Sequence, residues 1–516
     1  MNEEIQSRDL PEVMNPRRRN RKNRLPKAGN NPQLQIAPSQ SRLSHWFVPL
    51  LVLLVAGLSW LYWYHPAELS PNQTLLGLAI IGLGFVPLLI YLLETPQPPL
   101  PFLPLVGLYY AVSFGLPLFT GHLQEKQAVL AYRVEDVSIV SLWLTVGGML
   151  SMFACYLAGE RIFWREISHV RIPWDGGSFK LRFLLWGCLV LHLSVNALPV
   201  LNSIPSLGQF ARPAGFLGWG MILVLGLAKR LSMMEKYLLV PVGLMVELLF
   251  LTTTGLLSTT INFGLFMAVI AFRYRPRLAT VLAVSSLGFL VLLTPVKNEF
   301  RQLTWSQGEQ NNTSAIQRAE LLVNLAQNHY FSAGSGGASE DRSYVFSVLA
   351  TRLSMINFLS LVVNMTPGTI PYWNGATYSS LLTKWIPRFL WPGKPQEVTG
   401  NDFGQRYKFL DAGDTSTSLN LPWIVELYAN FGTWGILLGM GVFGMLLAFL
   451  SQLFNQPQMN PLEFVYGVSI LFNLYYQESS FALMVGSVFL LSIALYVLLK
   501  QAYEGGVPRT KRARRN

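Results

Sequence analysis

LLGLAIIGLGFVPLLIYLL, residues 75–93, carries no charged side chain over nineteen positions. At 1.5 Å rise per residue, a helix of that length reaches about 30 Å, the thickness of a bilayer's hydrocarbon core. It has no polar face, so lipid is the solvent that can cover it on all sides. Comparable apolar runs lie near 45–64, 102–120, 137–157, 183–201, 213–228, 237–254, 258–273, 279–296, 433–453, 462–480 and 482–499. The expected fold class is therefore all-α, a polytopic transmembrane helix bundle of about 12 spans. Composition agrees: 51% of the 516 residues are hydrophobic and 13% are charged, whereas soluble domains carry roughly 25% charged residues.

The formal net charge is +12, yet its placement argues against a nucleic-acid partner. Much of the excess lies in two tails, Arg17-Arg18-Arg19-Asn20-Arg21-Lys22 and Lys511-Arg512-Ala513-Arg514-Arg515. Basic residues flanking spans are retained on the cytoplasmic side. With the N-terminus inside, connections after even-numbered spans should be basic. The fourth is followed by Arg161, Arg165, Arg171, Lys180 and Arg182, the sixth by Lys229, Arg230 and Lys236, the eighth by Arg273, Arg275 and Arg277, and the last by the basic tail. Trp60, Tyr62, Trp63 and Tyr64 form an aromatic belt at a span end. The expected organisation is a disordered basic tail over 1–44, spans one to nine over 45–296, a large extracytoplasmic loop over 297–432, spans ten to twelve over 433–500 and a basic tail over 501–516. Both termini are then cytoplasmic.

The connection over 297–432 is far longer than an ordinary loop, and long loops with packable residues are usually functional. It holds Trp373, Trp385, Trp391 and Trp423. The apolar stretch 344–363 inside it has Arg352 and Asn357 near its centre, which is costly in lipid. It is expected to lie along or dip into the outer face; as a true span it would invert the topology after it. Soluble-enzyme signatures are missing: no Gly-rich phosphate loop, no HExxH and no Cys/His cluster. Cys155 and Cys188 sit inside apolar runs, so neither a disulfide framework nor a metal site is expected, and no cofactor is implied. Two polar residues sit within spans: His192, read as a satisfied bundle histidine, and Glu247, read as a polar bundle contact with a general-base role as the alternative.

The loop concentrates Arg, Trp, Tyr and Pro. It reads Arg352-Leu353-Ser354, Gly375-Ala376-Thr377-Tyr378, Ile386-Pro387-Arg388-Phe389-Leu390-Trp391-Pro392-Gly393-Lys394-Pro395, Ser416-Thr417-Ser418-Leu419 and Glu426-Leu427-Tyr428-Ala429-Asn430-Phe431-Gly432. Arginine's planar fork suits a diphosphate, and aromatic faces suit sugar rings; the bland alternative is an external cap with these residues as its core and anchors. This pattern resembles the O-antigen or oligosaccharide repeat-unit polymerases, the Wzy-type family of GT-C-like membrane glycosyltransferases. The resemblance is loose over the architecture and closest from Arg352 to Gly432. It implies transfer of a glycan from polyprenyl diphosphate to an acceptor sugar hydroxyl at the outer face of the bacterial inner membrane, building O-antigen, capsule or exopolysaccharide without metal. Implied partners are polyprenyl diphosphate-linked oligosaccharide, membrane lipid, a flippase and a chain-length regulator. On it, Arg352, Arg388 and Glu426 are the catalytic candidates. Lys394, Tyr378, Trp391, Tyr428 and, more weakly, Arg212 are the substrate-binding ones. O-antigen ligases share the architecture but place a His near the position where Ser416-Thr417-Ser418 stands, and His329 is the loop's sole His. A ligase-type transferase and a polysaccharide or lipid-linked sugar flippase remain the alternatives.

Overall fold

The structure, a computed structural model, describes residues 44–123, 136–163, 167–172, 174, 179–202, 204, 207–253, 257–305, 315–332, 352–384, 386, 391–395, 398–415, 417–456 and 459–504. Among these it is helical without a strand. We number the principal helices α1 (Phe47–Trp63), α2 (Pro71–Leu93), α3 (Phe102–Tyr110, continuing through a π turn to Leu123), α4 (Ile139–Phe163), α5 (Phe179–Ala197), α6 (Leu207–Leu227), α7 (Val240–Thr253), α8 (Leu257–Tyr274) and α9 (Pro276–Trp305). They are followed by α10 (Ala315–Gln327), α11 (Ile356–Met365), α12 (Thr399–Arg406), α13 (Trp423–Phe454), α14 (Pro461–Leu474) and α15 (Phe481–Glu504). Eight of the described helices are long and apolar enough to cross a membrane. A helix lies in each of the twelve intervals expected from the apolar runs, some too short to meet that measure.

Local sequence sets the helix starts. Ser70 caps α2, its hydroxyl accepting from the Gln73 amide while the Gln73 side chain reaches back to the Ser70 amide, and Pro71 stands at the first helical position. Asn460, Pro461 and Glu463 repeat the device at α14. Such boxes satisfy amides that the helix itself leaves without acceptors.

Packing relies on small residues where backbones meet. The main crossing joins α4 to α13. A Cβ at Gly444 would collide with the Met152 carbonyl, and one at Gly159 would lie 2.7 Å from the Ala448 methyl. The close approach lets Ser151 Oγ donate to the Leu437 carbonyl at 2.6 Å and the Tyr156 hydroxyl reach Ser451 Oγ at 3.2 Å. Helices meet in this way when lipid supplies no hydrophobic drive between them. By contrast α1 leans on α2 and leaves its apolar side chains exposed, as a lipid-facing helix does.

Two features locate the interesting region. In and just after the stretch 344–363, the described residues include α11, ten residues and about 15 Å long, half of what a span needs. Ile356, Phe358, Leu359 and Val362 on it are buried, and it packs on α4 and α13. The second feature departs from expectation and concerns 462–480, expected as one span. Helix α14 stops at Leu474 and the chain runs non-helically to Ser480 before α15 begins. Fourteen residues make about 21 Å, short of the ~30 Å of hydrocarbon. Non-helical backbone at such a depth is tolerated where protein buries it or where it lines a cavity.

Candidate functional site

The break at residues 475–480 is held by side chains from distant segments. One nitrogen of the Arg352 guanidinium, Nη2, pairs with Glu478 Oε2 at 2.9 Å and donates to the Tyr476 hydroxyl at 3.1 Å. Asn420 Nδ2 donates to the same Glu478 oxygen at 2.6 Å. The Tyr110 hydroxyl donates to Gln477 Oε1 at 2.8 Å, and the Tyr475 hydroxyl to Asn262 Oδ1 at 2.7 Å. Glu426 Oε2 accepts from the Phe481 amide at 2.7 Å, capping the first turn of α15. Together the ties reach Tyr475, Tyr476, Gln477, Glu478 and Phe481, which is why a chain that has left the helix keeps a defined path.

The electrostatics are lopsided toward positive. Lys297 and Arg301, near the end of α9, both feel the charge of Arg352. Burial lowers the pKa of Arg301, and Arg352's charge lowers it further. Burial also works against the charge on Arg352, but Glu478 together with Tyr476 and Tyr109 more than offsets it and holds the guanidinium above its usual range. Lys297, Arg301 and Arg352 therefore lie within electrostatic reach of one another. The Glu478 side chain is 3% exposed, whereas Arg352 retains 41%. Arg352 is thus pinned by Glu478 while part of its side chain keeps access to solvent. Beside them the Tyr109 ring meets Tyr476 edge-on at 6.1 Å, and its buried hydroxyl has no hydrogen-bond partner.

A second layer docks over the start of α13. The Trp373 amide donates to the Ala429 carbonyl at 2.9 Å, the Asn374 amide to the Asn430 carbonyl at 3.2 Å, and the Gly375 amide to Asn430 Oδ1 at 2.9 Å. Asn430 Nδ2 then donates to Thr377 Oγ1 at 2.9 Å. Gly375 has φ +89°, a left-handed turn that suits glycine. The Tyr378 ring stacks on Phe431 at 6.0 Å and meets Phe481 edge-on. Arg406 lies over the Trp373 ring at 5.2 Å and donates to the Pro371 carbonyl at 2.6 Å. Hence the Gly375–Tyr378 and Glu426–Gly432 segments, separate in sequence, form one unit.

The sequence candidates divide accordingly. Arg352 and Glu426 meet the same connection at residues three apart, Glu478 and Phe481. Glu426 is fully buried, and its Oε2 holds the start of α15. Tyr378 packs at the α15 start, while Tyr428 is buried and bonds the Thr366 carbonyl at 3.3 Å. Trp391 is exposed, and Lys394 Nζ donates to the Ile386 carbonyl at 2.9 Å. Arg388 lies outside the described residues, and of Arg212 the helical backbone alone is described. Sequence reading passed over Glu478, Tyr476, Asn420, Tyr109, Lys297 and Arg301. The available signal was the polar Tyr-Tyr-Gln-Glu-Ser-Ser run at 475–480, hidden inside an apolar window.

Within the bundle, His192 and Glu247 satisfy one another. His192 Nε2 lies 3.0 Å from Glu247 Oε2, Trp219 Nε1 donates to the same oxygen at 3.2 Å, and Asn196 Nδ2 lies 3.2 Å from His192 Nε2. Gly215 makes room for the imidazole. Among the described residues no group of three or more His, Cys, Asp or Glu side chains is arranged to hold a metal.

The chain belongs to the family described as "Domain of unknown function (DUF8712)", which matches residues 178–505. That match takes in α5 to α15 and with them Lys297, Arg301, Arg352 and Glu478. No curated protein matches the chain, and no solved structure does.

Proposed function

We propose that this chain is a membrane glycosyltransferase that polymerises lipid-linked oligosaccharide repeat units for a bacterial surface polysaccharide. It would cross the inner membrane about twelve times with both termini in the cytoplasm, and its site would open to the outer face. The observation that carries this reading is the cluster of Arg352, Arg301 and Lys297 beside the non-helical connection at residues 475–480. A polyprenyl diphosphate presents its charge at the lipid boundary, where a recessed basic site can meet it. As the bond between the anomeric carbon and the diphosphate oxygen breaks, negative charge grows on that oxygen, and positioned guanidinium groups stabilise it. Tyr476 and Tyr378, both partly exposed, offer aromatic rings and hydroxyls to the sugars.

The test is elongation by purified protein in liposomes supplied with single repeat units on polyprenyl diphosphate. Wild type should build polymer. Arg352→Gln, which keeps a hydrogen-bond donor for Glu478, should lose elongation by on the order of 10²-fold or more while eluting as folded protein. Polymer of normal length and amount from that variant would sink the assignment. In cells lacking the protein, single lipid-linked units should accumulate; complete but unattached polymer would instead identify a ligase.

A further inference from the structure

We propose that Glu478 is the general base that takes the proton of the acceptor hydroxyl, a role that rests on the polymerase reading above. Glu478 is buried, lies on the connection between α14 and α15, and pairs with the arginine best placed for diphosphate. A carboxylate has about four acceptor positions. Arg352 and Asn420 take two of them, both on Oε2, and Tyr476 hydrogen-bonds the carboxylate as well, which leaves room for a further donor. Glu426, the other buried carboxylate at this connection, holds the start of α15 through Oε2 and does not pair with Arg352 in the structure.

The shared guanidinium couples the two halves of the reaction. An incoming diphosphate competes with Glu478 for Arg352. As the fork turns toward the phosphate oxygens, the Glu478 carboxylate is released to face the acceptor hydroxyl when the donor is in place. The acceptor O–H proton then passes to the Glu478 carboxylate. Its bonding pair forms the new bond from oxygen to the anomeric carbon, and the bond to the diphosphate oxygen breaks with its pair held by that leaving group. The proton is later released to water. The groups facing Glu478 are Arg352, Tyr476, Tyr475, Tyr109 and Asn420, with Arg301 and Lys297 beyond Arg352.

Glu478→Gln preserves acceptor oxygen and shape, so its contacts with Arg352 and Asn420 should survive. In the liposome assay its kcat should fall about 10²- to 10⁴-fold, with KM for the lipid-linked donor unchanged or lower because a competing charge has gone. The acid limb of the wild-type kcat profile should vanish. Glu478→Asp should retain that limb at reduced kcat, and this variant carries the test if the glutamine form does not fold. An unchanged kcat, or a reduced kcat that keeps the acid limb in Glu478→Gln, would overturn the base role and leave the polymerase reading standing. Failure of wild type to elongate would overturn the polymerase reading itself, and the base role with it.

Discussion

Gly432 interrupts α13 with φ +63° and ψ −148°, a backbone region that essentially glycine alone occupies. The kink turns the first part of the helix, with Glu426 and Asn430, toward the docked 373–378 segment. Two costs follow for Gly432→Ala. Holding an L-residue at that conformation costs about 1–3 kcal/mol. The new Cβ would also lie 2.7 Å from the Tyr372 hydroxyl and 3.0 Å from its Cζ. Tyr372 packs edge-on against Tyr428 at 6.3 Å, so its displacement disturbs the layer beneath and adds about 1–3 kcal/mol. The expected loss is therefore about 2–6 kcal/mol, a large share of a typical folding free energy of about 5–15 kcal/mol. The assay is SDS titration of protein in mixed micelles, read by tryptophan fluorescence, on Gly432→Ala, Tyr372→Ala and the double variant. Removing the tyrosine should return the steric share and leave the backbone share. A loss below about 0.5 kcal/mol in Gly432→Ala, or complete recovery in the Tyr372→Ala background, would refute the reasoning.

Gly444→Val drives side-chain atoms into the Met152 carbonyl, a backbone group that cannot step aside, so the α4–α13 crossing must open. Its thermal midpoint in detergent should fall well below wild type, whereas Gly57→Val on α1, with nothing within 4 Å, should leave it unchanged. Glu94, just past the end of α2, is pushed up to about 6, first by burial and then by Glu160's charge. A carboxyl raised above its unfolded value costs no stability below that value, near 4.3. The cost grows as pH rises through the folded value and then levels off. Glu94→Gln should therefore raise the midpoint at pH 8 and lose that advantage by pH 4; an equal gain at both would exclude titration as the cause.

The helices were legible because lipid demands long apolar runs, and a period-free hydrophobic stretch such as 75–93 has few other uses. The docking of the Gly375 turn against Asn430 was half legible: both motifs stood out, but nothing local says that Asn430 Oδ1 takes the Gly375 amide. The central pairing was illegible for a plain reason. Arg352 and Tyr476 are 124 residues apart, and the tyrosines around Glu478 keep the window apolar enough to pass as continuous span. Glu426 was legible as a candidate but its partner was not: its Oε2 accepts from the Phe481 amide, 55 residues later.

That capping bears on where an anion can bind. The start of a helix presents free amides and the positive end of the backbone dipole, a natural phosphate site. At the 475–480 connection that end is α15, and Glu426 already fills it by accepting from Phe481. A diphosphate approaching there would meet a carboxylate. The opposite end of the connection is the C-terminus of α14, whose carbonyls repel anions. On the proposed reading, what remains is the flank where Arg352, Arg301 and Lys297 gather, with Arg352 partly exposed. Closing the helix end would then leave the arginine fork as the site for the phosphates, with Glu426 acting without touching substrate. Glu426→Gln should still cap through its amide oxygen but free the end of α15 from negative charge. On this account it weakens the discrimination between the two ends and spares the fold.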